Sequence, residues 1–375
     1  MKIIIFIIFL AIAASVEIAW YRKHALKKLD LDVSFSKSVA SYGEIIEVIE
    51  VAKNNKRLPL PFILLKFEAP QVLEFQDMTN TTLSDLLYRE DMLTMKPFSK
   101  HTRKIKAKCT ARGYYSFTRV NLTTSDLLLT GKITREFPAD ASITILPEII
   151  DTEMQRSLWS VTYSEVYTRR TLLTDPFSFA GIREYQPWDP MRTVNWTATA
   201  RAGDLMVNTN TSTTAKKVKV ILNLEYYNPK KSVSLLEKSI SIAYSYVCEL
   251  THLGIPVELL TNGRDMMSGS TVSTSLNGSD SEITECGTEL ALIDLGKEVQ
   301  PLSDLLDDYA SELKRDDFVV VVSPRRDVSF RNSFLTLTKR CNSCLWVLPC
   351  YKGTHTDPSE VLPPECIKWE MPGHD

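Results

Sequence analysis

The chain has 375 residues, with 44 basic side chains against 46 acidic ones and a net charge of -2. A hydrophobic content of 44% is that of a globular protein, and the length suits about two domains, each able to bury a core. The charge balance offers no basic surface for nucleic acid, which is excluded as a partner.

The N-terminus departs from this soluble character. In "MKIIIFIIFLAIAASVEIAWYRKHALKK", residues 3–21 are apolar except for Ser15 and Glu17. At about 1.5 Å per residue, such a helix just crosses a hydrocarbon core roughly 30 Å thick. Trp20 and Tyr21 suit the membrane interface. The small residues Ala11 to Ala13 resemble a signal-peptide cleavage site, but the apolar run continues past them into a basic stop. Residues 1–29 are therefore predicted to be an uncleaved, single-pass anchor in the cell membrane. Arg22, Lys23, Lys27 and Lys28 outweigh Lys2, so the positive-inside rule places the body in the cytoplasm.

Residues 30–150 carry short apolar or alternating runs broken by turn residues, among them "EIIEVIEVAKN", "FILLKFEAP" and "RKIKAKCTARGYYSF". Period-two spacing at these intervals predicts an Ig-like β-sandwich. "NNKRLPLPF", with two prolines, reads as a turn followed by an edge-type strand. Residues 151–215 form a polar, aromatic connector that opens as a helix.

From residue 216 to 351 the period changes. "KKVKVILNLE", "IPVELLT", "DDFVVVVSP" and "CLWVLPC" read as strands. Between them, "SVSLLEKSISIAYSYVCELTHLG", "PLSDLLDDYASELK" and "SFRNSFLTLTKR" read as helices. Alternation of this kind predicts an α/β domain with a mostly parallel sheet covered on both faces. Residues 263–286 read as a polar Gly/Ser loop, and 352–375 as a Pro-rich tail. Seven scattered cysteines make no disulfide framework. Cys341 and Cys344 of "CNSC", with Cys350, His355, Cys366 and His374, supply enough ligand types for zinc. No second Cys-x-x-Cys pair accompanies them, and buried thiols are the expectation.

The densest chemistry lies in "GIREYQPWDPMRTVNWTATARAGDLMVN", from Gly181 to Asn208. Asp189 as N-cap, Pro190 at the first helical position and Gly203 beyond the end predict one helix over Met191–Ala202. Arg183, Arg192 and Arg201, set among Glu184, Asp189, Tyr185 and Trp196, suit a partly buried ion-pair network with stacked guanidinium groups. Its small alanines suit close packing, so the stretch reads first as a brace between connector and α/β domain, with a partner-binding surface as the second reading and a catalytic site as the last. Glu184 and Asp189 could serve as acid and base of a hydrolase, but no histidine or nucleophile motif accompanies them.

This stretch resembles the signature of the bacterial and archaeal family called "domain of unknown function 58". The family's pattern is approximately G-L-R-E-Y-x-P-G-D-x-x-R-x-I-x-W-x-A-x-A-R-x-G-x-L-x-V. Gly181, Arg183, Glu184, Tyr185, Pro187, Asp189, Arg192, Trp196, Ala198, Ala200, Arg201, Gly203, Leu205 and Val207 match it, and Trp188 stands where the family usually has Gly. The resemblance implies a membrane-anchored protein with a β-sandwich-like region and a von Willebrand factor A-like domain. It also implies work beside a MoxR-type AAA+ ATPase in the assembly or maturation of other proteins. A metal-binding domain of that type carries D-x-S-x-S after its first strand, where this chain has Asn223, Glu225 and Tyr227. An amide in place of a carboxylate and a bulky phenol predict a degenerate site without metal or other cofactor. The reading is a non-enzymatic, membrane-anchored interaction protein. The alternatives are the hydrolase and an extracytoplasmic adhesion-type module.

Overall fold

The computed structural model describes residues 2–76, 81–83, 87–125, 131–172, 179–186, 189, 191–210, 217–226, 233–309, 313–315, 317–341, 343–353 and 362–372. The chain divides into two compact units, Met1–Glu148 and Ile149–Asp375.

Helix α1 (Lys2–His24) opens the first unit, and its stretch Ile3–His24 is long and apolar enough to cross a membrane. Its N-terminal apolar side chains are exposed, whereas Tyr21 near its end is fully buried in the sandwich core. The Tyr21 hydroxyl donates to the Pro59 carbonyl at 3.3 Å. The last carbonyls of a helix lack intrahelical donors. Lys56 supplies them here, its ammonium donating to His24 O at 3.2 Å, to Lys27 O at 3.0 Å and to Ala25 O. Burial pulls the Lys56 pKa down to about 8.

Two sheets form the sandwich. The first runs in the order β1 (Leu29–Phe35), β3 (Ile45–Asn54), β8 (Lys100–Cys109), β5 (Leu73–Phe75). The second runs β2 (Val39–Ala40), β10 (Lys132–Ile145), β9 (Gly113–Ser125), β4 (Leu60–Ala69), β7 (Leu87–Met95), β6 (Thr81–Leu83). All pairs are antiparallel except β2 with β10. Alternate residues point inward, as the period-two pattern requires: Ile46, Val48 and Ala52 from β3 meet Leu65 and Phe67 from β4 in one core. Phe117 stacks on Phe35 at 4.7 Å and takes the edge of Phe67 at 5.3 Å.

The segment after "NNKR" corrects an expectation. β4 is an interior strand, paired with both β7 and β9. Its register shifts between Leu60 and Ile63, and this irregularity accommodates Pro61, which has no N–H for a regular ladder. Thr94 Oγ1 donates to the Pro61 carbonyl at 2.8 Å.

The sandwich interior also holds charge. On β7, Arg89 and Asp91 are both 0% exposed and are joined Nε to Oδ2 at 2.9 Å. Arg103 on β8 reaches Asp91 Oδ1 at 2.6 Å, and its cross-strand partner on β3 is the buried Glu50. Burial first, then the neighbouring Asp91 carboxylate, push the Glu50 pKa up to about 8.

In the second unit, α2 (Glu153–Leu172) is part of the core rather than a simple connector. Its Leu158 is buried and its Trp159 ring lies 4.6 Å from Tyr246 of α4 (Val233–His252). A six-stranded mixed sheet runs in the order β15 (Thr271–Leu276), β14 (Val257–Arg264), β13 (Val218–Leu222), β16 (Phe318–Val322), β17 (Ser343–Tyr351), β18 (Cys366–Met371). Neighbours are parallel except β15, which is antiparallel to β14. Both β13 and β16 are buried along their whole length, because helices cover both faces. On one face α4 and α5 (Asp280–Ala291) pack with Val220 and Val320. On the other, α6 (Leu302–Asp308) and α7 (Val328–Arg340) pack with Ile221, Val321 and Trp346.

Two segments differ from their sequence reading. Residues 263–286 are not a loop: β14 runs on to Arg264, β15 follows, and α5 begins at Asp280. Serine-rich β15 resembles loop composition, because only Val272 and Leu276 of it are buried. The helix start was legible in Ser279 and Glu282, which form a capping box. The tail from 352 carries β18, whose Trp369 is 4% exposed in the core.

Candidate functional site

The stretch from Gly181 folds as a small hairpin with a helical cap. β11 (Phe179–Glu184) pairs antiparallel with β12 (Met206–Asn210). Between them lie a 3-10 turn, Met191–Thr193, and the helix α3 (Trp196–Ala202). The single predicted helix is thus broken at Val194, which forms a bridge with Val207 and buries against it. The N-cap is Asn195, not Asp189: its Oδ1 accepts from Ala198 N at 3.0 Å while its Nδ2 donates to Asn208 Oδ1 at 2.7 Å. Gly203 closes the helix in the left-handed region at φ 84°, its N–H donating to Thr199 O at 2.9 Å.

Asp189 does different work. It receives both terminal nitrogens of Arg183 at 2.7 Å and the Gln186 N–H at 2.9 Å. These bonds hold its pKa below the usual carboxylate value, the Arg183 hydrogen bond contributing most. Strand residues alternate in direction, so Glu184, next to Arg183 on β11, points away from Asp189. The two acids do not meet as an acid–base pair.

Of the expected partly buried network, the ion pair seen among the described residues is Arg183 with Asp189. Glu184, Arg192 and Arg201 are exposed, and no ion pair holds them among the described residues. No residue of α3 is buried, and Trp196 is 64% exposed. Ala200 and Ala202 are exposed and Ala198 is half-buried, and α3 is held to β12 through the Met206 N–H, which donates to Thr199 Oγ1 at 3.0 Å. Tyr185 is half-buried, its N–H donating to Leu205 O at 2.8 Å. Pro187, Trp188 and Pro190 lie outside the described residues.

The second candidate is set by topology. The chain leaves β13 for β14 and β15 on one side and returns to β16 on the other. The C-terminal edge at such a reversal is where α/β sheets place ligands. Asn223, one residue past β13, is fully buried there and ties three strands together. Its Nδ2 donates to Ser323 Oγ at 2.9 Å, and its Oδ1 accepts from Asn262 Nδ2 at 2.8 Å and from Glu225 N at 3.1 Å. Asn262 in turn accepts from Leu224 N at 2.8 Å and donates to Gln300 O at 2.8 Å.

Glu225 pairs through Oε1 with Arg325, while its Oε2 accepts from Leu302 N at 3.3 Å. The same guanidinium grips Asp327, Nε to Oδ1 at 2.5 Å and a terminal nitrogen to Oδ2 at 3.1 Å. Arg325 thus stands as a built-in cation between two carboxylates. The donor set does not fit a divalent ion, since the Asn223 oxygen is spent on internal bonds and Glu225 on the guanidinium. Tyr227 lies outside the described residues, as do His355 and His374. Among the described residues no group of three or more His, Cys, Asp or Glu side chains is gathered for a metal.

Sequence reasoning missed Asn262, Ser323, Arg325 and Asp327. The signal for the last three was the run "SPRRD" directly after the "FVVVV" strand, with Asp327 as N-cap of α7, while Asn262 lies in "LLTNGR" at the end of β14. A double-mutant cycle over Glu225→Gln and Arg325→Met should give a coupling on the order of 1–2 kcal/mol in thermal unfolding of the second unit. Additive single effects would show that the pair contributes nothing.

No family model matches the chain, and no curated protein does. Among solved structures it is similar to the CARDB domain of a Pyrococcus furiosus protein in complex with di-metal ions. That match has 16% identity and a TM-score of 0.20, covering 32% of this chain and 96% of that one. A non-cellulosomal cohesin from the hyperthermophilic archaeon Archaeoglobus fulgidus matches at 14% identity and a TM-score of 0.22, covering 35% and 97%. A type I cohesin from Clostridium thermocellum, solved in a cohesin–dockerin complex, matches at 8% identity and a TM-score of 0.22, covering 32% and 100%.

Proposed function

We propose that this chain is a membrane-anchored interaction protein whose signature hairpin engages a protein partner. The observation that carries the reading is Trp196, exposed on α3 with Met191, Ile182 and Leu205 also exposed on the same small hairpin. Arg192 and Arg201 are exposed beside them in the sequence, and Trp and Arg are the residue types that dominate binding energy at protein interfaces. A cap that buries none of its helix has little structural reason to carry such side chains. The α1 helix supplies the anchor, with the body on the cytoplasmic side.

The resemblance to the "domain of unknown function 58" family makes a MoxR-type AAA+ ATPase the partner of choice, acting in assembly or maturation of other proteins. The mixed sheet with one antiparallel edge strand supports reading the second unit as a von Willebrand factor A-like domain. Its ligand edge is closed by Asn223 and by the Glu225–Arg325–Asp327 ion pairs, so partner contact falls to the hairpin. The hydrolase reading loses its support because Asp189 is saturated by Arg183.

Affinity capture from detergent-solubilised membranes tests the proposal. The intact chain should enrich an AAA+ ATPase, identified by mass spectrometry, and Trp196→Ala should reduce that capture by about tenfold, as loss of a 1–2 kcal/mol anchor does. Equal capture by the variant, or no ATPase enrichment, would count against it.

A further inference from the structure

One end of the sandwich is fastened to α1, and two turns are gathered at that fastening. Tyr21 is buried in the sandwich core although it belongs to the apolar stretch Ile3–His24, so this end of the sandwich reaches along the helix as far as Tyr21. At about 1.5 Å per residue, that is nearly a helical turn nearer the bilayer than His24. Exposed Trp20, stacked on His24 at 4.9 Å, puts the same level in the headgroup zone, where such rings settle. Lys56, whose ammonium caps the α1 carbonyls, accepts through its own carbonyl from the Phe98 N–H at 3.2 Å. The Asn54 side-chain amide donates to Lys96 O at 3.0 Å, and its backbone N–H donates to Ser99 O at 2.8 Å. The turn between β7 and β8, residues 96–99, is therefore held beside the last turn of α1.

Phe98 in that turn is 67% exposed and has φ 50°, in the left-handed region. A bulky side chain is strained there, and strain of this kind collects at functional positions. The segments tied together also carry cations: Lys27 and Lys28 after α1, Arg57 beside Lys56, and Lys96 and Lys100 flanking Phe98. All five are exposed, and no ion pair holds them among the described residues. We propose that this end of the sandwich is a second membrane contact, in which Phe98 inserts among the headgroups of anionic phospholipids and these cations engage the phosphates. The proposal rests on α1 being a membrane anchor. An exposed ring set among basic side chains is the combination that partitions into an anionic interface. Together with α1 it gives the sandwich two points of attachment and so one orientation on the bilayer. The opposite end differs: Tyr42 is exposed there, but Lys37 is paired with Glu44. The ten residues of β3 separate the two ends by about 30 Å.

Lipid photocrosslinking of the full chain tests this. A photoreactive phenylalanine analogue replaces Phe98 or, in a separate preparation, Tyr42, and the chain is reconstituted in phosphatidylcholine vesicles with or without phosphatidylglycerol. Mass spectrometry should find phospholipid adducts at position 98 and none at position 42. The yield at 98 should be several-fold higher with phosphatidylglycerol, and Lys96→Gln and Lys100→Gln should each lower it about fivefold. In the unsubstituted chain, amide exchange of residues 96–100 should slow several-fold when phosphatidylglycerol is present, a readout that needs no variant to fold. A chain retained in the vesicles through an alkaline carbonate wash but giving no lipid adduct at 98, or equal adduct yields and equal exchange in both lipids, would overturn the proposal alone. Release of the chain by the wash would overturn the anchor on which it rests.

Discussion

Asp91→Asn should destabilise the β-sandwich by about 3–5 kcal/mol, the usual cost of breaking a buried ion pair from one side. Asp91 accepts from Arg89 at 2.9 Å and from Arg103 at 2.6 Å, with its side chain fully buried. Arg89 is 0% exposed, with its guanidinium carbon 5.1 Å from the Phe75 ring centroid. Without the Asp91 charge, that guanidinium loses its paired anion while staying out of water. Amide hydrogen exchange of the full chain in detergent reads the effect directly. Protection of β3, β7 and β8 should fall sharply, while β13 and β16 of the second unit keep theirs. Unchanged protection in β7 would mean that the cluster is better solvated than its geometry indicates.

Glu50→Gln should have the opposite sign, and only at neutral to alkaline pH. Burial and the Asp91 carboxylate raise the folded-state pKa of Glu50 from 4.5 to about 8. The folded chain therefore holds a proton that the unfolded chain releases between those two values. That stabilising proton is fully effective below about pH 4.5, and its contribution is lost as pH rises towards 8. Each pKa unit corresponds to about 1.4 kcal/mol, so the loss is on the order of a few kcal/mol. Glutamine keeps the shape without the charge. The variant should match the parent near pH 5 and exceed its stability by a few kcal/mol near pH 8–9, read from exchange protection of β3. A parent whose β3 protection is flat between pH 5 and pH 9 would contradict the shift.

These two sites show where the sequence was informative and where it was silent. The alternation in "EIIEVIEVAKN" announced β3, and its period of two sets Glu50 on the same face as the buried Ile46, Val48 and Ala52, where its residue type alone gives no reason for a carboxylate. β3 carries Glu50 buried because Arg103 is its cross-strand neighbour and β7 faces it with Asp91, and neither relation is local in sequence. The α/β unit was legible wherever strands were continuous apolar runs, as at Phe318–Val322, but not at β15 or β18. Those edge strands bury only part of themselves, so their composition reads as loop and tail.

The signature stretch shows the same limit. Asp189 and Asn195 are both good N-caps by type, and only the bridge between Val194 and Val207 decides that Asn195 starts the helix. Charge and aromatic density there suggested burial, since such residues in a folded network are held by partners. The hairpin instead leaves Trp196 and two arginines in solvent, which is what moves the reading from brace to contact surface. Arg325 was invisible for a different reason. It lies about a hundred residues from Glu225, and only the parallel pairing of β13 with β16 brings them to one edge.

Photocrosslinking from position 196 is the most direct test of the central claim that the exposed hairpin contacts a protein partner. A photoreactive amino acid replacing Trp196 in the full chain, irradiated in native membranes, should give one discrete adduct containing an AAA+ ATPase. The same probe at Tyr42, an exposed position in the sandwich unit, should not give that adduct. No discrete adduct from position 196, or an identical adduct pattern from both positions, would contradict the account.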